Sequence, residues 1–334
     1  MATALTPWDD YFLHQVPEPI GVVDRPHSYW RESYFFDLHH PSGEGDVVFV
    51  TMARYPAKER MDSMQLGRIA GEQLMGGHER AYDGDPHTTA MPGACIEVVE
   101  PLRELRIWTD PDDSVIGVDL TFRARTAAYG LRRGTMYAGD ELVWDQRHML
   151  QSGVYSGTYT AHGRTVDVDG WVGQRDHSWG VRDHGRCPLW LWLQIQLDDG
   201  FLGVWHWELE TGAQVYSDGC WAGADGSAPV PVTGLRHDLR WVDVDGAPAD
   251  YGLDGSSVAG LAGTCRFELA DGRVIEVEAD GSFARPYEPY HRGGLSLMRV
   301  RTDDGRVGTA IYEVTGARHH RYFPHTQVPG PLPT

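Results

Sequence analysis

Short apolar or alternating runs, broken repeatedly by Asp-Gly and other glycine turns, constrain this chain more than any other feature. Asp199-Gly200, Asp271-Gly272, Asp280-Gly281 and Asp304-Gly305 are hairpin-type dipeptides between such runs. In the first half the strand pattern covers 33–38, 46–54, 96–99, 104–109, 114–123 and 141–151. A hairpin over 153–161 and 164–170 follows, turning at His162-Gly163. In the second half it covers 189–197, 201–209, 214–222, 235–244, 263–269, 274–279, 295–302 and 306–315. One segment breaks the rhythm. Met61, Met64, Leu66, Ile69 and Leu74, followed by Gly76-Gly77, predict a helix over 57–76. The expectation is an all-β chain of two antiparallel barrel-like domains, residues 1–185 and 186–334.

The hairpin over 189–209 carries four tryptophans. Trp190, Trp192, Gln194 and Gln196 share one face of its first strand, and Leu189, Leu191, Leu193, Ile195 and Leu197 share the other. Trp205 and Trp207 share a face of the second strand, with His206 on the opposite one. A loop at Asp199-Gly200 sets Trp192 against Trp207, Gln194 against Trp205, and His206 beside Leu193. Both faces read as buried. Large aromatics with a few polar tips suit either an apolar ligand pocket or core packing.

Charge narrows the partners. Lys and Arg total 29 against 48 Asp and Glu, a net charge of −19. That balance opposes nucleic acid, anionic membrane and polyphosphate. It suits a small neutral or cationic ligand. No run of 18 apolar residues and no signal-peptide pattern occurs, so a cytoplasmic protein without a membrane span is expected. Cys95, Cys187, Cys220 and Cys265 lack metal or redox spacing. Phosphate-cradling glycine motifs and GxSxG are absent. His319, His320 and His325 are the best metal-like cluster, and their spacing fits a surface loop better. No cofactor and no metal are expected.

Near the midpoint lies Gly173-Gln174-Arg175-Asp176-His177-Ser178-Trp179-Gly180. Neither a strand nor a helix period accounts for it, so it reads as an irregular corner presenting polar groups. The structural alternative is an Arg175–Asp176 ion pair with Trp179 as a barrel plug. The run from Arg175 to Gly180 resembles the signature of the hydroxyneurosporene synthase (carotenoid 1,2-hydratase)-like and AttH-like superfamily. His148-Met149-Leu150-Gln151-Ser152-Gly153, Ser156-Gly157-Thr158, His27-Ser28-Tyr29-Trp30 with Glu32-Ser33-Tyr34, and Gly305-Arg306-Val307-Gly308 with Tyr312-Glu313 resemble its flanking segments. The hydratases carry His-Asp-His-Asn-Trp-Gly, so Arg175 and Ser178 depart from their pattern. The resemblance implies two lipocalin-like barrels, an apolar pocket near their junction, and cofactor-free hydration, cyclisation or isomerisation of isoprenoid or polyene-like substrates.

Such chemistry needs an acid that burial keeps protonated. Asp176 is the first candidate, with His177 orienting it or relaying the proton. His206 is the second, with a satisfied core histidine as the alternative. Indole faces steady a developing cation. Trp179, Trp192, Trp205 and Trp207 are the available rings, and Arg175, Tyr155, Tyr216 and Glu313 complete the expected lining. The reading is a cofactor-independent lyase or isomerase for a terpenoid or similar apolar alkene. A carrier of an apolar ligand and a pericyclase are the alternatives.

Overall fold

The computed structural model describes residues 4–12, 27–82, 89–109, 112–186, 189–249, 258–287 and 293–315. No α-helix occurs among them, and none is long and apolar enough to cross a membrane. The chain forms two compact units, Met1–Asp183 and His184–Thr334.

The first unit carries β1 (Trp30–His39), β2 (Val47–Tyr55), β3 (Arg60–Ile69), β4 (Glu72–Ala81), β5 (Ala90–Met91), β6 (Ala94–Glu100) and β7 (Glu104–Trp108). It continues with β8 (Gly117–Ala124), β9 (Tyr129–Gly130), β10 (Gly134–Ala138), β11 (Glu141–Ala161), β12 (Arg164–Asp167) and β13 (Trp171–Arg182). The path β4-β3-β2-β1-β13-β11-β8-β7-β6-β5 makes a nearly closed antiparallel barrel. Phe36, Leu38, Val50, Ile107, Leu120 and Phe122 are among the side chains that fill it.

The second unit carries β14 (Leu189–Leu197), β15 (Gly200–Glu208), β16 (Gln214–Gly223), β17 (Val230–His237) and β18 (Arg240–Val242). Then come β19 (Gly260–Leu269), β20 (Val274–Tyr287), β21 (Gly293–Thr302) and β22 (Val307–Thr315). Pairing of β17 with β19 closes the ring β17-β16-β15-β14-β22-β21-β20-β19. Leu191, Leu193, Val204, Phe267, Val277 and Tyr312 lie in its core.

Four expectations need correction. Residues 57–76 are not a helix. They form most of the β3–β4 hairpin, which turns at Ala70 and Gly71 with φ of 51° and 84°. Two consecutive positive φ values are the geometry that matches strand twist in a two-residue hairpin. Buried Ser63 and Gln65 sit where apolar residues would have revealed the two-residue period.

The central motif is not a corner but the middle of β13, in register with β1 on one side and β11 on the other. Its two glycines serve close strand approach. A Cβ on Gly173 would lie 1.9 Å from the Asp37 carbonyl oxygen, and one on Gly180 would lie 2.0 Å from that of Asp145.

The tryptophan hairpin turns one residue earlier than expected, with Leu197 opposite Gly200. That sets Trp192 against Trp205, Trp190 against Trp207, Gln194 against Gly203 and Leu191 against His206. The segments 141–151 and 153–161 also join, as one 21-residue strand running through Gly153 and Gly157.

Candidate active site

Because successive strand residues point to opposite faces, the motif divides into two sets. Arg175, His177 and Trp179 share a face with Phe36, Tyr34 and Glu32, their partners on β1, and this face lines the barrel interior. Gln174, Asp176 and Ser178 share the other face with Asp37, Phe35 and Ser33. Asp176 and His177 therefore cannot act on one another directly, which corrects the expected relay.

The interior set is locked to the N-terminal segment. Pro7–Asp10 forms one 3-10 turn, and Asp10 and Phe12 are buried. Arg175 makes an ion pair with Asp10, not with Asp176, and donates from Nε to Gln151 Oε1 at 3.0 Å. The backbone N–H of Leu102 and the hydroxyl of Tyr34 also bond to Asp10. His177 Nδ1 donates to the Asp9 carbonyl at 2.6 Å, and Nε2 lies 3.2 Å from Glu32 Oε1. Glu32 is in turn paired with Arg54, whose Nη1 donates to Tyr82 at 3.0 Å. Phe12 stacks on Tyr34 at 4.5 Å and has Arg54 over its ring at 5.4 Å.

Buried carboxylates held by guanidinium and amide donors in this way are structural first: removing one partner leaves an uncompensated charge. Tyr155 belongs to this interior too. Its ring meets Phe122 edge-on at 5.3 Å, its hydroxyl bonds to the Gln174 carbonyl, and burial holds it protonated.

The opposite face carries the acid–base groups. Asp176 is 7% exposed and His148 8%. His148 Nε2 lies 3.1 Å from Asp176 Oδ1. The Gln146 amide nitrogen lies 3.1 Å from His148 Nδ1 and donates to it, which leaves the ring proton on Nε2, facing Asp176. Burial is the main cause lowering the His148 pKa, so the ring is neutral, with Asp176 partly opposing the shift. Arg182 donates to Ser178 Oγ at 2.8 Å, and Ser178 Oγ is 3.3 Å from Ser33 Oγ. Burial, then repulsion from Arg31, lowers the Arg182 pKa to about 9, which still leaves it charged at neutral pH.

Also on β1, two residues beyond Phe35, the partner of Asp176, Asp37 is 1% exposed and its Oδ2 makes no hydrogen bond. Its pKa is raised from 3.8 to about 8. Burial dominates, Gln174 donors offset it in part, and the Asp176 charge adds to the rise. His39 Nδ1 is 4.0 Å away, and burial lowers the His39 pKa to about 3, so it supplies no cation. One face thus holds Asp176 beside a neutral imidazole and, at Asp37, a carboxyl that is protonated at pH 7. A buried acid shifted in this way, close to a second acid and an imidazole, is a candidate for acid–base chemistry. Asp37, Gln146 and His148 were not among the sequence candidates.

In the second unit the expected aromatics do come together. Trp205 packs edge-on against Trp192 at 5.9 Å and Trp207 at 4.9 Å, and Trp207 meets Tyr216 at 4.6 Å. Glu313 is opposite Trp192 on β22 and accepts from Thr315 at 3.2 Å. His206 is on the other side of β15, inside the barrel, where Glu208 Oε1 lies 2.9 Å from its Nε2. His319, His320 and His325 lie outside the described residues.

Comparison places this architecture. The two-barrel fold is shared with solved structures of low sequence identity. Solved structures similar to it include a putative AttH from Nitrosomonas europaea at 13% identity, covering 86% of this chain and 93% of that one with a TM-score of 0.59. Kievitone hydratase from Nectria haematococca is 14% identical, covering 87% and 90%, with a TM-score of 0.52. CghA is 12% identical, covering 91% and 96%, with a TM-score of 0.53. By sequence the chain belongs to DUF8625, a family of unknown function, which matches residues 5–248. No curated protein matches it by sequence.

Proposed function

We propose that this protein is a cofactor-independent acid–base lyase or isomerase acting on a terpenoid or similar apolar alkene. The observation that carries the reading is the face of β1, β11 and β13 on which Asp176 lies 3.1 Å from a neutral His148 while burial holds the nearby Asp37 carboxyl protonated. A protonated carboxyl in a dry environment is the acid that alkene protonation or allylic alcohol activation needs. The Asp176–His148 pair is the matching acceptor for the proton returned in the second half of the reaction. In a dehydration the same pair takes up a C–H proton while the acid protonates the departing hydroxyl. That one solved relative is a hydratase agrees with this class of chemistry. The buried tryptophan face of the second unit is a surface of the kind that binds apolar molecules.

The test is a screen of purified protein with linear and cyclic terpenoids in heavy water, read by gas chromatography and mass spectrometry. Deuterium in a new product, lost in Asp176→Asn, supports the reading. A pericyclase would turn over without deuterium uptake and tolerate Asp176→Asn. A carrier would bind and return every compound unchanged.

A further inference from the structure

We propose that His206, Glu208 and His237 form a divalent-cation site, best suited to zinc, inside one end of the second barrel. His206 and Glu208 are two residues apart on β15, so both point inward. His237 is the last residue of β17. The strand between them, β16, pairs with both β15 and β17, so the site ties two strands that do not pair with each other.

The donor geometry is close to what a cation needs. Glu208 Oε1 lies 2.9 Å from His206 Nε2 and 3.2 Å from His237 Nε2. All three donor atoms lie within 4.8 Å of one another. A tetrahedral zinc with bonds of about 2.0–2.2 Å holds its ligands roughly 3.3 Å apart. The two nitrogen–oxygen separations are already near that value, and only the two rings must close on each other. The rings stand at 86° with centroids 6.1 Å apart, so their Nε2 edges approach without stacking.

The side chains are buried, at 2% exposure for each histidine and 7% for Glu208. Two imidazoles and one carboxylate select a borderline cation such as zinc over magnesium or calcium, which take all-oxygen sets. Three protein ligands leave a fourth position for water.

The metal-free state is a hydrogen-bonded clasp. Leu239 N–H donates to His237 Nδ1 at 3.3 Å, so the ring proton is on Nε2 and faces Glu208. On binding, that proton moves to Nδ1 and the Nε2 lone pair goes to the cation. The ring stays neutral, and the long Leu239 contact opens. This cation would brace the barrel and take no part in the chemistry at Asp176, so the proposal stands apart from the function proposed above.

The test uses full-length protein stripped with EDTA and then freed of chelator. Added Co²⁺ is expected to give the visible bands of a tetrahedral site, saturating at one per chain. Zinc at about 100 times its Kd should raise the second unit's Tm by roughly 5–11 °C. Glu208→Gln and His206→Gln should each abolish both signals, with circular dichroism confirming that the barrel still forms. His319→Ala/His320→Ala/His325→Ala is the control and should keep them. No saturable Co²⁺ spectrum, or a spectrum lost in the triple variant and kept in Glu208→Gln, would overturn the proposal.

Discussion

Replacing Asp37 by Asn should make the protein more stable, and by an amount that depends on pH. The Asp37 carboxyl has a pKa of about 8 in the folded protein against an ordinary 3.8. A group whose folded pKa is raised contributes no penalty below its unfolded value. Stability is then lost as pH rises from there through the folded pKa, because folding must take up a proton. From 3.8 to pH 7 is a span of about 3.2 pH units at about 1.4 kcal/mol each, so the protonated carboxyl costs on the order of 4 kcal/mol at pH 7.

Asn is nearly isosteric with the protonated acid and takes up no proton. The variant should gain about that amount at pH 7, or roughly 8–16 °C in the Tm of the first unit. The gain should vanish near pH 4 and level off above pH 8. His39 titrates in both proteins, and its slope cancels in the difference. Paired thermal and urea unfolding of the two proteins from pH 4 to pH 9 is the measurement. A variant that is less stable at pH 7, or a difference that is flat across the range, would refute the argument. The same substitution should lower turnover, since stability given up at one carboxyl is the usual sign of a residue kept for chemistry.

Other outcomes follow from the same geometry. Asp176→Asn should cut turnover roughly 10²–10⁴-fold with little change in Tm, because its partner His148 is already neutral; kinetics and unfolding on one preparation check both. Arg175→Ala should instead cost about 3–5 kcal/mol by stranding Asp10, visible as a collapsed urea midpoint. Trp205→Ala should cost roughly 3–5 kcal/mol in the second unit, measured by its own unfolding transition. Turnover should survive exhaustive chelation when assayed below the melting point of the metal-free protein. On the acid side, burial lowers the His39 pKa from 6.5 to about 3, so its contribution is complete above 6.5 and is lost as pH falls below that value. His39→Gln should flatten that slope in acid unfolding curves.

Sequence showed the strand rhythm and the two-barrel class because glycine turns and apolar runs are local signals. It misread β13 because this strand is buried on both faces by polar groups, and alternation disappears when both faces need burial. It misread β3 for a related reason, with Ser63 and Gln65 facing inward. Asp176 stood out in a dense polar motif, and the tryptophan cluster followed from the two-residue alternation of its hairpin. The partner of Asp176 was not, because His148 is brought to it by strand register across 28 positions of sequence. Nothing local marks Asp37 either. An acid in an apolar strand between Phe36 and Leu38 looks like an outward polar position until the sheet shows both sides covered.

The seating of Asp10 and Phe12 inside the first barrel has a consequence for how this protein is made. Asp10 and Arg175 are 165 residues apart, and neither charge is matched until both are in place. A ribosome adding about 5–20 residues per second needs roughly 10–35 s to travel from the N-terminal turn to the end of β13. Throughout that interval the segment around Asp10 is synthesised but lacks its β13 partners Arg175 and His177. A segment made long before β13 is thus among the last to be fixed. A variant that slows closure of β13 against β1 will therefore show first as protease sensitivity of the N-terminal segment, before any loss of strand content.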